Sequence, residues 1–217
     1  MRLFHSSLQW PPPAPGTRLD EITWCVIDTE TSGLDTKRDR VLSLGAFDVS
    51  QKGVVLANRF EAILNIDVHL TEQNVLIHRL TPQQLREGRE LRETYSRFLR
   101  FIRGKPLLAF HAAFDKSMLE RELRTNLKLA CRLPFSDVAF WLRALFPDQR
   151  HLRSLDEWLA HFKVDMPNRH QAALDALCTA ELIMIALHQA THLGIHTWKE
   201  LEDKVKVSAA LGALSSP

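Results

Sequence analysis

The stretch that decides the fold runs from Trp24 to Leu34 and reads W-C-V-I-D-T-E-T-S-G-L. Its first half, up to Ile27, is aromatic, apolar and β-branched, which is typical of a buried strand. Two carboxylates follow, Asp28 and Glu30, and residues i and i+2 of an extended chain point to the same face. Two like charges this close repel unless a cation lies between them, and oxygen ligands suit Mg²⁺ or Mn²⁺. The stretch predicts either a divalent-metal site at a strand end or a solvated strand end with two acids.

The segments that follow predict an α/β domain. Apolar runs over 41–49 and 54–64, joined by a turn, predict two further strands in an antiparallel meander. Gly45 lies inside the first run, where another backbone can approach closely. A short apolar strand at 106–110 then alternates with amphipathic helices. Helices are predicted from a start at 81–82, over 92–102, from 114, from 137 to about 146, and over 155–162, 171–189 and 196–206.

The composition predicts one main domain with short flanking segments. The 217 residues suffice for a single sizeable core. The sequence P-P-P-A-P at 11–15 favours extended chain, so we expect a proline-rich arm over 1–20, the domain over 21–207 and a flexible tail over 208–217.

Cysteine usage and hydropathy predict a cytoplasmic protein that does not enter membranes. The three cysteines are far apart and match neither a disulfide framework nor a zinc site. The first ten residues lack the sustained apolar core of a signal peptide. The apolar stretch from Leu182 to Leu187 is too short to span a bilayer.

The charge pattern gives a local basic excess on a chain whose net charge is only +2. Between Arg86 and Arg132, 12 Lys and Arg face 6 Asp and Glu, and this excess could hold phosphates. For the arginines from Arg86 to Arg103, however, we favour a solvated helix face with acid–base pairs.

Three residues beyond the opening stretch have the chemistry to complete a site. Asp115 lies near the start of a helix, and Asp175 lies in the apolar run A-A-L-D-A-L-C-T-A, where an unpartnered acid is costly to bury. His170 precedes Asp175 by five residues, which on one helix would place the two side chains about 140° apart. If both face one site, His170 must lie in the loop before the helix. Taken singly, the three could instead be a helix-dipole acid, an acid paired with a buried arginine and an ordinary loop histidine.

The order of these residues resembles the DnaQ-like, or DEDDh, 3′–5′ exonuclease family. The family pattern Asp-x-Glu-Thr-Thr-Gly-Leu is matched from Asp28 to Leu34. The pattern His-Asn-Ala-x-Phe-Asp is represented by His111 to Asp115, with Ala112 in place of the Asn. The pattern His-x-Ala-x-x-Asp-Ala is matched from His170. The resemblance spans about residues 21–190, and its three segments together are specific although each alone is weak.

The resemblance implies a ribonuclease H-like α/β fold and a catalytic set. The expected fold is a central mixed five-stranded sheet, an antiparallel meander plus parallel strands, flanked by helices. Two Mg²⁺ or Mn²⁺ ions would be bound by four carboxylates: Asp28, Glu30, Asp115 and Asp175. His170 would act as the general base, a role that suits an imidazole near neutral pH.

The resemblance also implies which residues contact substrate. These are expected to be Thr29, Thr31, Ser32, Gly33, Leu34, His78 and Phe114. Gly33 would allow close backbone approach and Leu34 would wedge against the last bases. Arg79 stands where the family often has Gly after the His, so a different turn or an added phosphate contact is expected there.

The implied activity is metal-dependent release of nucleoside 5′-monophosphates from the 3′ end of single-stranded DNA. An RNA-trimming or oligoribonuclease-like enzyme is the first alternative, because no residue reveals whether a 2′-hydroxyl is read. An inactive nucleic-acid- or polymerase-binding module is the second. The implied partners are a nucleic acid with a free 3′ end, DNA rather than RNA, and a DNA polymerase subunit; the oligomeric state is left open.

Overall fold

The computed structural model describes residues 10–68, 70–165 and 170–214. Predictions for the first half of the arm, for the loop over 166–169 and for the end of the tail lie outside the described residues. The strands are β1 (Trp24–Thr31), β2 (Val41–Ser50), β3 (Gly53–Ile63), β4 (Leu107–Ala109) and β5 (Phe135–Asp137). The helices are α1 (Glu72–His78), α2 (Pro82–Arg86), α3 (Leu91–Ile102), α4 (Ala113–Leu127), α5 (Val138–Leu145), α6 (Leu155–Phe162), α7 (Ala172–His192) and α8 (Trp198–Leu214).

The strands form one mixed sheet in the order β3-β2-β1-β4-β5, which confirms the predicted α/β architecture. β1 pairs antiparallel with β2, and β2 pairs antiparallel with β3. β4 lies parallel to β1 on its other side, and β5 lies parallel to β4. β1 is therefore the central strand, and its carboxyl end carries Asp28 and Glu30.

The alternation of side chains along β1 divides the core into two layers. Trp24 and Val26 pack with α5, α6, α7 and α8 on one face of the sheet. Cys25 and Ile27 pack with α3 and α4 on the other face. Since Asp28 and Glu30 continue the first set, they emerge on the α7 face.

α7 covers β1 and β2, and its first turn approaches β2 very closely. A Cβ atom on Gly45 would lie 2.2 Å from the carbonyl carbon of Ala172. Only a residue without a side chain fits there, so the prediction of close backbone approach at Gly45 is confirmed. The contact sets the height of the α7 amino terminus above the sheet.

α7 ends three residues beyond the predicted end at residue 189. By length and composition alone the 21-residue helix could cross a membrane. However, 56% of its most apolar window is buried inside the protein. Ile183, Ala186 and Leu187 lie in the same core cluster as Trp24, so α7 is the core helix of this layer.

The helix caps follow local sequence. Thr81 and Ser154 form capping boxes at the starts of α2 and α6, and Asp137, rather than Ser136, caps α5. α8 differs from the prediction because it continues to Leu214, into the segment assigned to the tail. Ala209 and Ala210 are strong helix formers, which accounts for the extension.

The described part of the predicted arm is hydrogen bonded to the domain. The amide of Leu19 donates to the carbonyl of His196 at 2.8 Å, and the amide of Trp198 donates to the carbonyl of Thr17 at 2.9 Å. Trp10 is buried in the core cluster of the α3–α4 face. Residues 10–20 thus lie against the domain and contribute to its packing.

Candidate active site

Three of the predicted carboxylates converge at the carboxyl end of β1. Asp28 and Glu30 come from the strand and Asp175 comes from the first turn of α7, and one carboxylate oxygen of each lies within 4.8 Å of the others. Such a cluster of like charges is stabilised by a divalent cation, and an all-oxygen donor set suits Mg²⁺ or Mn²⁺. The residues present therefore fit the implied metal site.

His170 lies in the loop before α7, as expected if His170 and Asp175 face one site. Its backbone has a positive φ of 69°, and its ring is exposed. Its amide donates to both oxygens of Asp175, at 3.3 Å each. The loop and the α7 carboxylate are thus held together, and His170 stays exposed beside Asp175 in the chain.

Asp115 lies outside the three-carboxylate cluster. It is buried in the first turn of α4, and its Oδ1 accepts a hydrogen bond of 2.8 Å from the Thr29 hydroxyl. Burial raises the pKa of Asp115 to about 7, and the hydrogen bond from Thr29 offsets only part of that rise. A nearby cation would favour the charged form instead.

Thr29 differs from its predicted role as a substrate contact. It alternates with Asp28 and Glu30 and so points to the α4 face of β1. Its side chain is 9% exposed, and its hydroxyl donates to Asp115. Thr29 thus connects the metal-binding strand to α4 from within the protein.

The predicted substrate platform from Thr31 to Leu34 is a hydrogen-bonded turn. The Thr31 hydroxyl donates to the carbonyl of Gly33 at 2.8 Å, and the Ser32 hydroxyl donates to Asp39 at 2.9 Å. A Cβ on Gly33 would lie 2.5 Å from the Asp39 carboxylate, so the loop itself requires this glycine. Leu34 stands at the tip and is 85% exposed.

Phe114 lies in the first turn of α4. It is partly buried and packs against the core cluster of the α3–α4 face, so packing accounts for its position.

A buried ionic network that the sequence did not predict anchors the platform loop to α4. Glu122 is 1% exposed and accepts hydrogen bonds from Arg40 Nε at 2.7 Å and from a terminal nitrogen of Arg40 at 3.1 Å. Arg121 also contacts Glu122 and donates to the carbonyls of Thr36 and Asp39. The network therefore holds both ends of the 35–40 loop, and its partners are too far apart in sequence for pattern reading to pair them.

Replacing Glu122 with glutamine should destabilise the protein by about 2–3 kcal/mol at neutral pH, because it leaves two arginines without their carboxylate. Burial alone would raise the pKa of Glu122, but the hydrogen bonds and charge of Arg40 hold it below its ordinary value. A carboxyl group whose pKa is lower in the folded protein than in the unfolded chain stabilises the folded state at pH values above its pKa in the unfolded chain. This stabilisation is lost as the pH falls through the pKa of the group in the folded protein. The difference in unfolding free energy between the wild type and Glu122→Gln should thus shrink below about pH 4. Denaturant titrations of the two proteins at neutral and at acid pH measure this difference, and a larger difference at acid pH would contradict the ionised state assigned to Glu122.

His78 and its neighbours line a cavity beside the cluster. The cavity has a volume of about 130 Å³, and its walls come from β2, β3, the 78–84 segment and the start of α7. His78 is 2% exposed, and its Nδ1 accepts a hydrogen bond of 3.1 Å from the amide of Leu80. Burial lowers the pKa of His78, so the ring is neutral and its proton lies on Nε2. Nε2 has no partner among the described residues.

Arg79 ends α1 in the left-handed region, with φ of 57°. This conformation costs a non-glycine residue about 1 kcal/mol, which accounts for the Gly in the family pattern. The chain keeps the same turn here and adds an exposed guanidinium at the cavity wall.

The match of the second family segment needs a correction of one position. The six-residue pattern that ends at Asp115 begins at Phe110, so His111 occupies the position of the Asn and Ala112 that of the Ala. His111 has a φ of 58°, in the region that asparagine tolerates well. Its amide donates to Asp137 at 3.2 Å, and its Nε2 lies 3.1 Å from the carbonyl of Arg153. His111 thus places a polar side chain at the position of the Asn.

Comparison with solved structures places this fold among nucleases of the ribonuclease H-like class. Exonuclease I of E. coli in complex with a dA16 oligonucleotide superimposes with a TM-score of 0.69 at 17% identity, over 80% of this chain and 42% of that chain. Exonuclease X in complex with 5′-overhanging duplex DNA superimposes with a TM-score of 0.60 at 20% identity, over 84% and 99%. These similarities confirm the predicted fold.

Sequence comparison identifies the family. Residues 25–183 match the RNase_T family model, described as exonuclease, so the chain belongs to this exonuclease family. The DNA polymerase III epsilon subunit of Treponema pallidum is 29% identical over 88% of this chain and 92% of its own length. That of Rickettsia typhi is 30% identical over 72% and 70%. The resemblance to DnaQ-like exonucleases is thereby confirmed.

The relatives differ greatly in length. The PolC-type DNA polymerase III of Caldanaerobacter subterraneus is 26% identical over 81% of this chain, but the match covers only 12% of that protein. This chain thus matches a small part of the PolC-type polymerase and most of the Treponema epsilon subunit.

Proposed function

We propose that this protein is a metal-dependent 3′–5′ exonuclease that releases nucleoside 5′-monophosphates from single-stranded DNA. The observation that carries the proposal is the cluster of Asp28, Glu30 and Asp175 at the end of the central strand. The DNA oligonucleotides named with the E. coli exonuclease I structures, and the polymerase subunits among the relatives, support DNA as the substrate.

The cluster is proposed to hold two Mg²⁺ or Mn²⁺ ions, with Asp115 joining directly or through water. When bound, the ions supply Lewis-acid activation of the phosphodiester and of the attacking water. Asp175 stays oriented by the amide of His170, and Asp115 stays oriented by the hydroxyl of Thr29. The His170 imidazole takes the proton from the attacking water, because it is the exposed base at the edge of the cluster.

The terminal nucleotide is proposed to lie between the platform turn and the cavity. Leu34 contacts its base, and the Gly33 backbone approaches its sugar. The neutral His78 ring donates from Nε2 to an acceptor atom on the nucleotide, which would satisfy a buried donor that has no partner among the described residues. Phe114, which packs on the α3–α4 face of the sheet, is proposed as a further substrate contact.

The partner, the cellular location and the domain bounds are proposals too. Association with a DNA polymerase subunit and a cytoplasmic location follow from the epsilon subunits that the chain resembles. The exonuclease domain is proposed to occupy 21–207, with flanking segments at 1–20 and 208–217.

Labelled oligonucleotides test the proposed polarity and substrate. With Mn²⁺ we expect a 5′-labelled DNA strand to shorten one nucleotide at a time, and a strand with a blocked 3′ end to stay intact. EDTA should abolish the reaction, because the cluster alone cannot activate water. A matched RNA strand run in parallel measures sugar preference. Stepwise release from the 5′ end, or undiminished activity in EDTA, would refute the proposal, and faster cleavage of RNA would reassign the substrate.

A further inference from the structure

The outer face of α3 carries three arginines that have no ion pair among the described residues. Arg97 and Arg100 lie three residues apart on the helix surface, and Arg103 follows as the C-cap residue just past the last turn. All three are exposed, and none has an ion pair or hydrogen bond among the side chains that the structure describes. We call these three residues the arginine row.

The prediction of acid–base pairs along this helix is wrong. Glu90, the acid at its start, caps the helix and accepts hydrogen bonds from the amides of Arg92 and Glu93. The ion pairs found in the described parts of the chain lie elsewhere, for example between Arg40 and Glu122. Like charges three residues apart reduce helix stability, so the row carries an electrostatic cost that no contact within the described protein offsets.

The row continues onto neighbouring elements. α3 packs against α4, whose carboxyl end and following loop carry the exposed cations Arg124, Lys128 and Arg132. None of these three has an ion pair among the described residues either. Because the whole chain carries a net charge of only +2, the remaining surface compensates for this one basic face.

The sheet topology places the arginine row far from the carboxylate cluster. β4 begins at Leu107, which pairs with Cys25, three residues or about 10 Å before Asp28. Arg103 lies only four residues before Leu107, so α3 ends at the edge of the sheet opposite the cluster. The row therefore lies at the opposite end of the sheet from the cluster and on its opposite face, so only a strand that extends several nucleotides past the edge of the sheet, at about 3.4 Å per nucleotide, can contact both.

We propose that the arginine row is a second nucleic-acid contact, which binds phosphates of the strand several nucleotides from the end being cut. The proposal rests on the proposed function, because it takes the same strand as ligand. A regular polyanion matches a row of arginines spaced along a helix, since guanidinium groups pair with phosphates in a bidentate manner. The row would retain the strand without reading its sequence.

The test is equilibrium binding of a fluorescent single-stranded DNA of about 20 nucleotides in EDTA, where no hydrolysis is needed. The variant Arg97→Gln/Arg100→Gln/Arg103→Gln should bind about tenfold more weakly than the wild type at moderate salt. The slope of log affinity against log salt should fall by about 2, because each phosphate contact on a single strand contributes about 0.7. Glutamine matches arginine in helix propensity, so the variant should fold normally and unfold no earlier than the wild type.

A matched control removes the same charge from the other side of the sheet. The variant Lys199→Gln/Lys204→Gln/Lys206→Gln changes α8, which packs in the core layer opposite α3, on the face of the cluster. Lys199 and Lys206 already pair with Asp203 and Glu202, so they are not expected to bind phosphates. Its affinity and salt slope should stay close to those of the wild type. If the two variants weaken binding equally, only net charge matters and the proposed contact is overturned.

Two further readouts separate this proposal from the proposed function. Hydrolysis of the p-nitrophenyl ester of thymidine 5′-monophosphate, which is too short to reach the row, should be equal in wild type and arginine variant. If the wild type hydrolyses neither ester nor oligonucleotide yet the binding difference holds, the proposed function fails and the contact stands. If the arginine variant binds DNA as well as the wild type, the contact is overturned, and an acidic protein surface becomes the ligand to seek.

Discussion

Replacing Asp175 with asparagine should lower the rate of nucleotide release by at least about a thousandfold, since losing a charged metal ligand removes several kcal/mol of transition-state stabilisation. Asparagine has the same shape and can still accept the hydrogen bond from the amide of His170. The loss would therefore come from charge and not from a displaced loop. Initial rates on 5′-labelled DNA with saturating Mn²⁺ measure the effect.

The same substitution should make the metal-free protein more stable. Three carboxylates that lie within 4.8 Å of one another repel when no cation is bound, and asparagine removes one of the three charges. We expect the free energy of unfolding in EDTA to rise by about 1 kcal/mol. A gain in stability combined with a loss of activity is typical of a functional site and unlike the effect of a core mutation.

Asp48 provides the matched control because it is also a buried carboxylate on the central sheet. It accepts hydrogen bonds from Lys105 at 2.8 Å and from Asn58 at 2.5 Å, and it pairs in register with Cys25, away from the cluster. Asp48→Asn should lower stability by about 2 kcal/mol and leave the rate nearly unchanged. If Asp175→Asn keeps more than a tenth of the wild-type rate, Asp175 is not a metal ligand that the reaction requires.

Replacing Gly45 with alanine should reduce both stability and activity, although residue 45 has no side chain that could act chemically. The new Cβ would lie 2.2 Å from the backbone of Ala172, so the first turn of α7 must move outward. Overpacking of this kind costs about 1–3 kcal/mol. Since Asp28 pairs with Gly45 and Asp175 lies in the displaced turn, the cluster would widen.

The expected loss of activity for Gly45→Ala is about a hundredfold, which is typical for a displacement of about 1 Å between reacting groups. Both the maximal rate and the affinity for DNA should fall, because the displaced start of α7 holds Asp175 and also lines the cavity beside the cluster. Gly16→Ala is the control, since a Cβ at Gly16 meets no atom within 4 Å. Wild-type rates in Gly45→Ala would show that the α7 terminus adapts and that its height above the sheet is not critical.

The sequence predicted the parts of the fold that have strong local signals. The apolar run before Asp28 marks the central strand, and capping residues such as Ser154 mark helix starts. β5 was not located because three residues are too few to show a period. α1 was not predicted because only seven residues form it. α8 was predicted to end too early because its last turns depend on helix propensity alone.

The candidate site was predicted as a set of residues but not as an arrangement. Asp28, Glu30 and Asp175 meet as expected, whereas Asp115 faces Thr29 on the other side of β1. A motif gives the order of residues along the chain, and it does not reveal which face of a strand a helix approaches. The roles assigned to His170, His78 and the platform turn stay predictions.

The tertiary contacts could not be predicted for a different reason. The ion pair of Arg40 and Glu122 joins residues from two distant segments, and nothing in either segment favours that partner over many others. The arginine row is the opposite case. Acids that lie close to these arginines in sequence favoured ion pairs along α3, but the structure does not form them. Local charge patterns thus describe what is possible along one helix and not which pairs exist.

The origin of the cluster from two distant segments has a consequence for biosynthesis. Asp28 and Asp175 are separated by about 150 residues, so their proximity depends on contacts of high sequence separation that form late in folding. A nascent chain still lacking α7 carries the first two acids without the third. Synthesis and docking of α7 must therefore precede assembly of the carboxylate cluster, and a nascent chain without α7 is expected to lack the complete site.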